Sequence, residues 1–139
     1  MTRASLDTNV LLRFALKDVP EEFTRARALL ACGETKYQVA EAAWIEVAYA
    51  LERHYGLDRP AIVDIIVSLM DIDSVETDVD VITMTCEVYQ RHPKLSFADC
   101  YLATRAQSLS ATPLYTFDEK LAAQHPAAKR VPGTGEHPR

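Results

Sequence analysis

The sequence predicts an α/β fold, with a parallel sheet and helices on both of its faces. Three observations carry that expectation. Short apolar stretches have the length of buried strands, as at Ala4-Ser5-Leu6 and Pro113-Leu114-Tyr115-Thr116-Phe117. Longer segments between them place apolar residues at helical spacing. Caps, prolines and glycines fall at the joints between the two kinds of segment. Short strands alternating with amphipathic helices imply parallel pairing with helical crossovers.

Taken in order, Ala4-Ser5-Leu6 is the first strand and ends at Asp7. Val10, Leu11, Phe14 and Ala15 then follow helical spacing. Pro20-Glu21-Glu22 opens a second helix, with acids in the turn where the helix dipole favours them. Phe23, Ala26, Leu29 and Leu30 form its apolar stripe, and Gly33 marks its stop. Lys36 to Ala40 is a strand, and a long helix follows from about Glu41 to Tyr55, ending at Gly56. Asp58 and Pro60 start another helix, with Ile62, Ile65, Ile66 and Leu69 on its buried side. Ser74-Val75-Glu76 is a brief strand, and Asp78 caps a helix reaching about Arg91. Ser96 to Gln107 is helical, 113–117 a strand, Asp118 to Gln124 a short helix, and Arg130-Val131 a last strand. One domain is expected over residues 1–131, with a loose tail over 132–139. Neither repeats nor low-complexity linkers interrupt the chain.

Composition narrows the function. The chain has 139 residues, 48% of them apolar and 25% charged, with a formal net charge of −5. This is the profile of an ordinary soluble globule, and it disfavours a generic nucleic-acid binder with a basic surface. It leaves open an enzyme that cuts nucleic acid, because bound divalent cations reverse the local charge of a carboxylate cluster. Cys32, Cys86 and Cys100 are odd in number and far apart, which reads as reduced thiols. His54, His92, His125 and His137 show no zinc-hydrolase spacing. No signal peptide and no run of about 18 apolar residues is present, so a cytoplasmic protein without membrane association is expected.

Four acids stand out. In open parallel sheets, ligands bind beyond the carboxyl ends of the strands. Asp7 ends the first strand, Asp99 lies in the first turn of its helix, and Asp118 follows the strand at Leu114-Tyr115-Thr116. Each also has a plain structural reading. Asp7 can cap the helix starting at Thr8, Ser96 and Asp99 match a capping box, and Thr116 with Glu119 match another. Glu46 sits within Ala42-Ala43-Trp44-Ile45-Glu46-Val47-Ala48-Tyr49-Ala50-Leu51, which is apolar nearly all round and therefore expected to be largely buried. A carboxylate buried there needs a partner, either a metal ion or a cation such as arginine. Hard cations such as Mg²⁺ and Mn²⁺ prefer carboxylate oxygens and water, and a set of converging acids would need such an ion to offset its own repulsion. No Ser-His or Cys-His pairing, Walker A motif or G-x-G-x-x-G competes for the chemistry.

These residues also carry a family resemblance. Leu6-Asp7-Thr8-Asn9-Val10-Leu11-Leu12 resembles the opening motif of PIN domains. Glu46 on the long helix, Ser96-Phe97-Ala98-Asp99 with Leu102-Ala103, and Tyr115-Thr116-Phe117-Asp118 with Leu121 resemble the family's second, third and fourth motifs. Order and spacing match from about residue 4 to residue 131. The resemblance implies a three-layer α/β/α sandwich, Mg²⁺ or Mn²⁺ dependence, and endonucleolytic cleavage of RNA. It further implies likeness to VapC-type toxins of toxin–antitoxin pairs, with a homodimer and a small antitoxin as partners.

On this reading Asp7, Glu46 and Asp99 hold the principal metal ion, and Asp118 completes the site or assists a second ion. Asn9 and Thr116 are candidates for orienting acids, water or phosphate, with local capping as the alternative. Arg13, Lys17, Lys94, Arg105 and Lys120 are candidate phosphate contacts, or ordinary surface charges. Competing readings are a non-catalytic PIN-like module, a DNA-directed nuclease on the same fold, and a haloacid-dehalogenase-type phosphotransferase. The last wants a D-x-D start where this chain has Asn9. The apolar helices around Val63–Met70 and Val81–Val88 could form a subunit interface or simply pack in the core.

Overall fold

A computed structural model describes residues 2–135. Its elements are β1 (Thr2–Ser5), α1 (Thr8–Leu16), α2 (Pro20–Ala31), β2 (Thr35–Gln38), α3 (Glu41–Arg53), α4 (Arg59–Met70), β3 (Val75–Glu76), α5 (Val79–Arg91), α6 (Phe97–Ser108), β4 (Leu114–Thr116), α7 (Glu119–Gln124) and β5 (Ala128–Arg130). All seven expected helices and all five expected strands are present, with ends shifted by a few residues. The strands pair in parallel throughout, as the α/β reading requires. Two compact units are distinguished, Met1–Thr83 and Met84–Arg139, and the division falls within α5. Of the tail expected to be loose, residues 132–135 carry neither helix nor strand, and residues 136–139 lie outside the described residues.

The first unit holds a three-stranded sheet in the order β1-β2-β3. Ala4 stands opposite Tyr37, and Tyr37 opposite Val75. Helix α1 packs against α2, α3 and α4. It begins where Asp7 caps it and ends at Lys17, whose φ of 55° places a lysine in the left-handed region that glycine usually occupies. Gly56, expected as the stop after α3, has φ 64°, and the Leu57 N–H returns to the Leu51 carbonyl at 3.0 Å. The core is built from Leu11, Leu12, Trp44, Val47, Leu51, Ile62, Ile66 and Leu69. Each such side chain contributes roughly 1.5–3 kcal/mol through its removal from water. Polar groups that enter this core are paired. Trp44 Nε1 donates to Thr77 Oγ1 at 2.8 Å, and Thr77 Oγ1 donates to the Val39 carbonyl at 2.9 Å. Ser74 Oγ reaches the Leu30 carbonyl at 2.9 Å, and Tyr37 Oη the Leu29 carbonyl at 3.1 Å.

Two expectations for this unit are corrected. The first strand was expected to be buried, yet all four residues of β1 are exposed, and burial begins only at Leu6. The strand lies at the sheet edge, and its Thr, Arg, Ala and Ser side chains lose little by facing water. Helix α3 was expected to be largely buried, yet its buried residues are Trp44, Val47, Ala48 and Leu51, a single stripe. Much of the apolar count on its other sides comes from Ala42, Ala43 and Ala50, and alanine tolerates exposure. Along α4, Ile62, Val63, Ile66, Leu69 and Met70 are buried, so its apolar side is core.

The second unit pairs β4 with β5 in parallel, with α7 packed on both and α6 on β4. Its interior contains Cys86, Tyr89, Leu95, Phe97, Cys100, Ala103 and Leu121. The Tyr89 and Phe97 rings meet edge to face, with centroids 5.3 Å apart. Cys86 and Cys100 are buried free thiols, and burial pushes the Cys86 thiol up to about 12, which keeps it protonated and inert. Among the described residues no helix is long and apolar enough to cross a membrane.

His125 makes this unit sensitive to pH. It is buried, and its Nδ1 accepts the Ala127 N–H at 3.0 Å, which requires that nitrogen to be unprotonated. Burial first, and the nearby His92 second, lower its pKa below the ordinary value of 6.5. Below 6.5 the unfolded chain therefore takes up the proton before the folded one. The stabilising contribution is fully present above that value and is lost as pH falls through the window beneath it. Thermal melts between pH 7.5 and 5.5 should show a falling midpoint, and His125→Asn, which keeps an acceptor but does not titrate, should flatten that slope. An equally steep slope in the variant would assign the effect elsewhere.

Candidate functional site

Asp7 takes its position from the end of β1. Its Oδ1 accepts the Val10 N–H at 3.2 Å, so the capping role is real. That bond occupies one oxygen of an exposed carboxylate and leaves Oδ2 for another ligand. Glu46 projects from the exposed side of α3. It is therefore free of the burial penalty expected for it, and its partner is not an arginine. Thr8 Oγ1 donates to Glu46 Oε2 at 2.7 Å. Asp7, Thr8, Asn9 and Glu46 line one open pocket of about 540 Å³, together with Tyr49, His54 and Tyr55. Its lining carries these two carboxylates and neither lysine nor arginine.

A second pocket of the same unit, about 510 Å³, shares Asp7 and Asn9 and adds Arg13, Glu22 and Arg25. Asn9 thus stands beside Asp7 on both sides, and Asp7, not Asn9, caps α1. Arg13 is already engaged. Its NH1 donates to Asp18 Oδ2 at 2.8 Å and its NH2 to Tyr55 Oη at 2.9 Å. The Tyr55 hydroxyl first, with Asp18 behind it, holds the guanidinium above its ordinary range. Among the described residues Arg25 makes no ion pair. Lys17 is turned toward an aromatic ring, its ammonium 5.3 Å from the centroid of Phe23.

In the second unit, Asp99 lies half-buried in the first turn of α6. Ser96 Oγ accepts the Asp99 N–H at 3.1 Å, and among the described residues the Asp99 carboxylate makes no hydrogen bond or ion pair. The capping box is therefore realised through Ser96, which leaves the acid available. The other proposed box is corrected. Asp118 itself is the N-cap of α7, and its Oδ1 accepts from Lys120 N at 2.8 Å and Leu121 N at 3.1 Å. Thr116 Oγ1 accepts the Asp118 N–H at 2.9 Å, so it braces the acid rather than capping the helix. Lys94 and Lys120 are exposed, and Arg105 NH1 donates to Ser108 Oγ at 3.3 Å.

Two residues escaped sequence reasoning. Thr8 read only as a helix start, because a bond between side chains 38 positions apart leaves no local pattern. Arg25 belongs to no motif in the sequence, and only the fold sets it in a pocket with Asp7.

The donor chemistry suits a hard divalent cation. Mg²⁺ keeps several waters and is commonly held by one or two carboxylates, which is what Asp7 and Glu46 offer. Among the described residues no group of three or more His, Cys, Asp or Glu side chains is gathered closely enough to hold a metal.

Comparison with known proteins gives one family. The PIN domain model matches residues 4–125. No curated protein matches. Among solved structures, one similar chain is from the crystal structure of VapBC2 from Rickettsia felis bound to a DNA fragment from their promoter. Identity is 14%, the alignment covers 94% of this chain and 98% of that one, and the TM-score is 0.38.

Proposed function

Because this chain belongs to the PIN-domain family, we propose that it is a divalent-metal-dependent endoribonuclease. Asp7, Glu46, Asp99 and Asp118 are its metal-binding and catalytic carboxylates, and Mg²⁺ or Mn²⁺ is its cofactor. The observation that carries this reading is the pocket shared by the carboxylates of Asp7 and Glu46. When bound, such a cation supplies Lewis acidity toward water and phosphate. The chain's own contributions follow from geometry. Thr8 fixes one oxygen of Glu46 and so aims the carboxylate. Asp7 keeps Oδ2 for a ligand while Oδ1 is held by the helix. Thr116 sets the backbone of Asp118. Asn9 is placed to orient water or phosphate beside Asp7, and Arg25, the uncommitted cation of the adjoining pocket, to hold the RNA backbone.

The partners are proposed from the family resemblance. They are RNA as substrate, a small antitoxin protein that blocks the site, and a second copy of the chain. Purified protein incubated with mixed RNA and DNA pools, in Mg²⁺ or Mn²⁺ and in EDTA, tests the activity. Cutting of RNA that stops in EDTA is expected. Cutting of DNA alone would replace the substrate class, and metal-independent cutting would remove the mechanism.

A further inference from the structure

The pocket that holds Asp7 and Glu46 is also lined by three aromatic side chains that the cleavage chemistry does not use: Tyr49, His54 and Tyr55. Tyr55 is engaged with Arg13 through its hydroxyl. Tyr49 is different. It lies on α3 three residues after Glu46, so it shares that exposed face, and it is 57% exposed. A single exposed aromatic is unremarkable by itself. What sets this one apart is its company. The His54 ring stands edge to face with it, centroids 6.0 Å apart and planes at 82°. In that arrangement each ring keeps at least one face uncovered by the other. Two exposed aromatic rings, neither covering both faces of the other, therefore border a carboxylate pocket of about 540 Å³, within the range that small planar ligands occupy.

We propose that Tyr49 and His54 form a stacking subsite for one unpaired nucleobase of the RNA, beside Asp7 and Glu46. This rests on the ribonuclease reading and deepens it. Unpaired bases stack on Tyr and His rings with little dependence on sequence, because every base has a π-face. The carboxylates would repel a bare phosphate, so the base offers the strand a hold on this pocket that does not depend on charge. The subsite would favour single-stranded segments over duplexes, since a paired base has no free face to give.

The test uses a single-stranded oligoribonucleotide carrying 2-aminopurine, with binding read by anisotropy and stacking by fluorescence quenching. Ca²⁺ stands in for the catalytic ion, because it offers the carboxylates an oxygen-ligated cation. Tyr49→Ala should weaken binding by about tenfold and lose the quenching, while Tyr49→Phe keeps both. In Mn²⁺, KM should rise for Tyr49→Ala with kcat within about twofold of the parent. Tyr49 is exposed, so its substitution leaves the core untouched. If Tyr49→Ala binds and quenches like the parent while the parent cuts RNA, the subsite is wrong and the nuclease reading stands. Light scattering that shows Tyr49→Ala changing the oligomeric state would make this face a contact between copies and overturn the proposal. A parent that neither binds nor cuts RNA removes the subsite together with the reading beneath it.

Discussion

Asp7→Asn should lose metal-dependent RNA cleavage while keeping the fold. The substitution separates the capping role of Asp7 from the metal-binding role proposed for it. Asparagine caps a helix about as well as aspartate, so the Val10 N–H retains its acceptor and α1 its start. What is lost is the negative charge that a divalent ion needs. Losing even an outer-shell partner costs 10–100-fold, so loss of a direct ligand should lower kcat/KM by about a hundredfold or more. The melting midpoint should scarcely move. If Asp7 serves only as a cap, Asp7→Asn will be silent in activity and Asp7→Ala will cost about 1 kcal/mol of stability. Cleavage assays in Mg²⁺ beside thermal melts of the two variants distinguish these outcomes.

The second large effect is on stability. Trp44 is the chain's single tryptophan, fully buried, and its indole N–H begins a short relay through Thr77 to the Val39 carbonyl. Trp44→Ala should destabilise the protein by about 3–5 kcal/mol, the range for large-to-small changes in a packed core. Thr77 would still donate to Val39, so the loss reads chiefly on packing around α3. Denaturant unfolding followed by circular dichroism measures it, since the fluorophore is removed with the side chain. A change below about 1 kcal/mol would mean that α3 is not packed as described. Because α3 also carries Glu46, a milder change such as Trp44→Phe should disturb activity more than stability.

Much of this was legible in the sequence because the signals were local. Helix starts were announced by Asp7, Pro20, Asp58 and Ser96, and the structure uses three of these four as side-chain caps and Pro20 as the opening helical residue. Strand positions followed from short apolar runs between helices. Burial was harder to read. Counting apolar residues put Glu46 in the interior, whereas the side of α3 that carries it is alanine and tyrosine facing water. Hydropathy alone does not distinguish a small residue that is buried from one that merely tolerates exposure. The bond from Thr8 to Glu46 was invisible for a different reason. It joins two elements far apart in the chain, and nothing in either segment marks it. Thr116 and Asp118 show a finer failure: the motif was found, but which of the two residues caps α7 depends on backbone angles that composition does not encode.

The most direct measurement is cleavage of a mixed RNA pool by the purified protein and by Asp99→Asn, each in Mn²⁺ and in EDTA. Asp99 is the sharpest choice because Ser96 already does the capping and the Asp99 carboxylate makes no other bond among the described residues. A loss of activity in a variant that melts like the parent would therefore not trace to a lost helix cap. Cutting by the parent that stops in EDTA and is absent from a well-folded Asp99→Asn is the predicted result. A variant that cuts as fast as the parent, or a parent that binds no divalent metal and cuts nothing, would contradict the account.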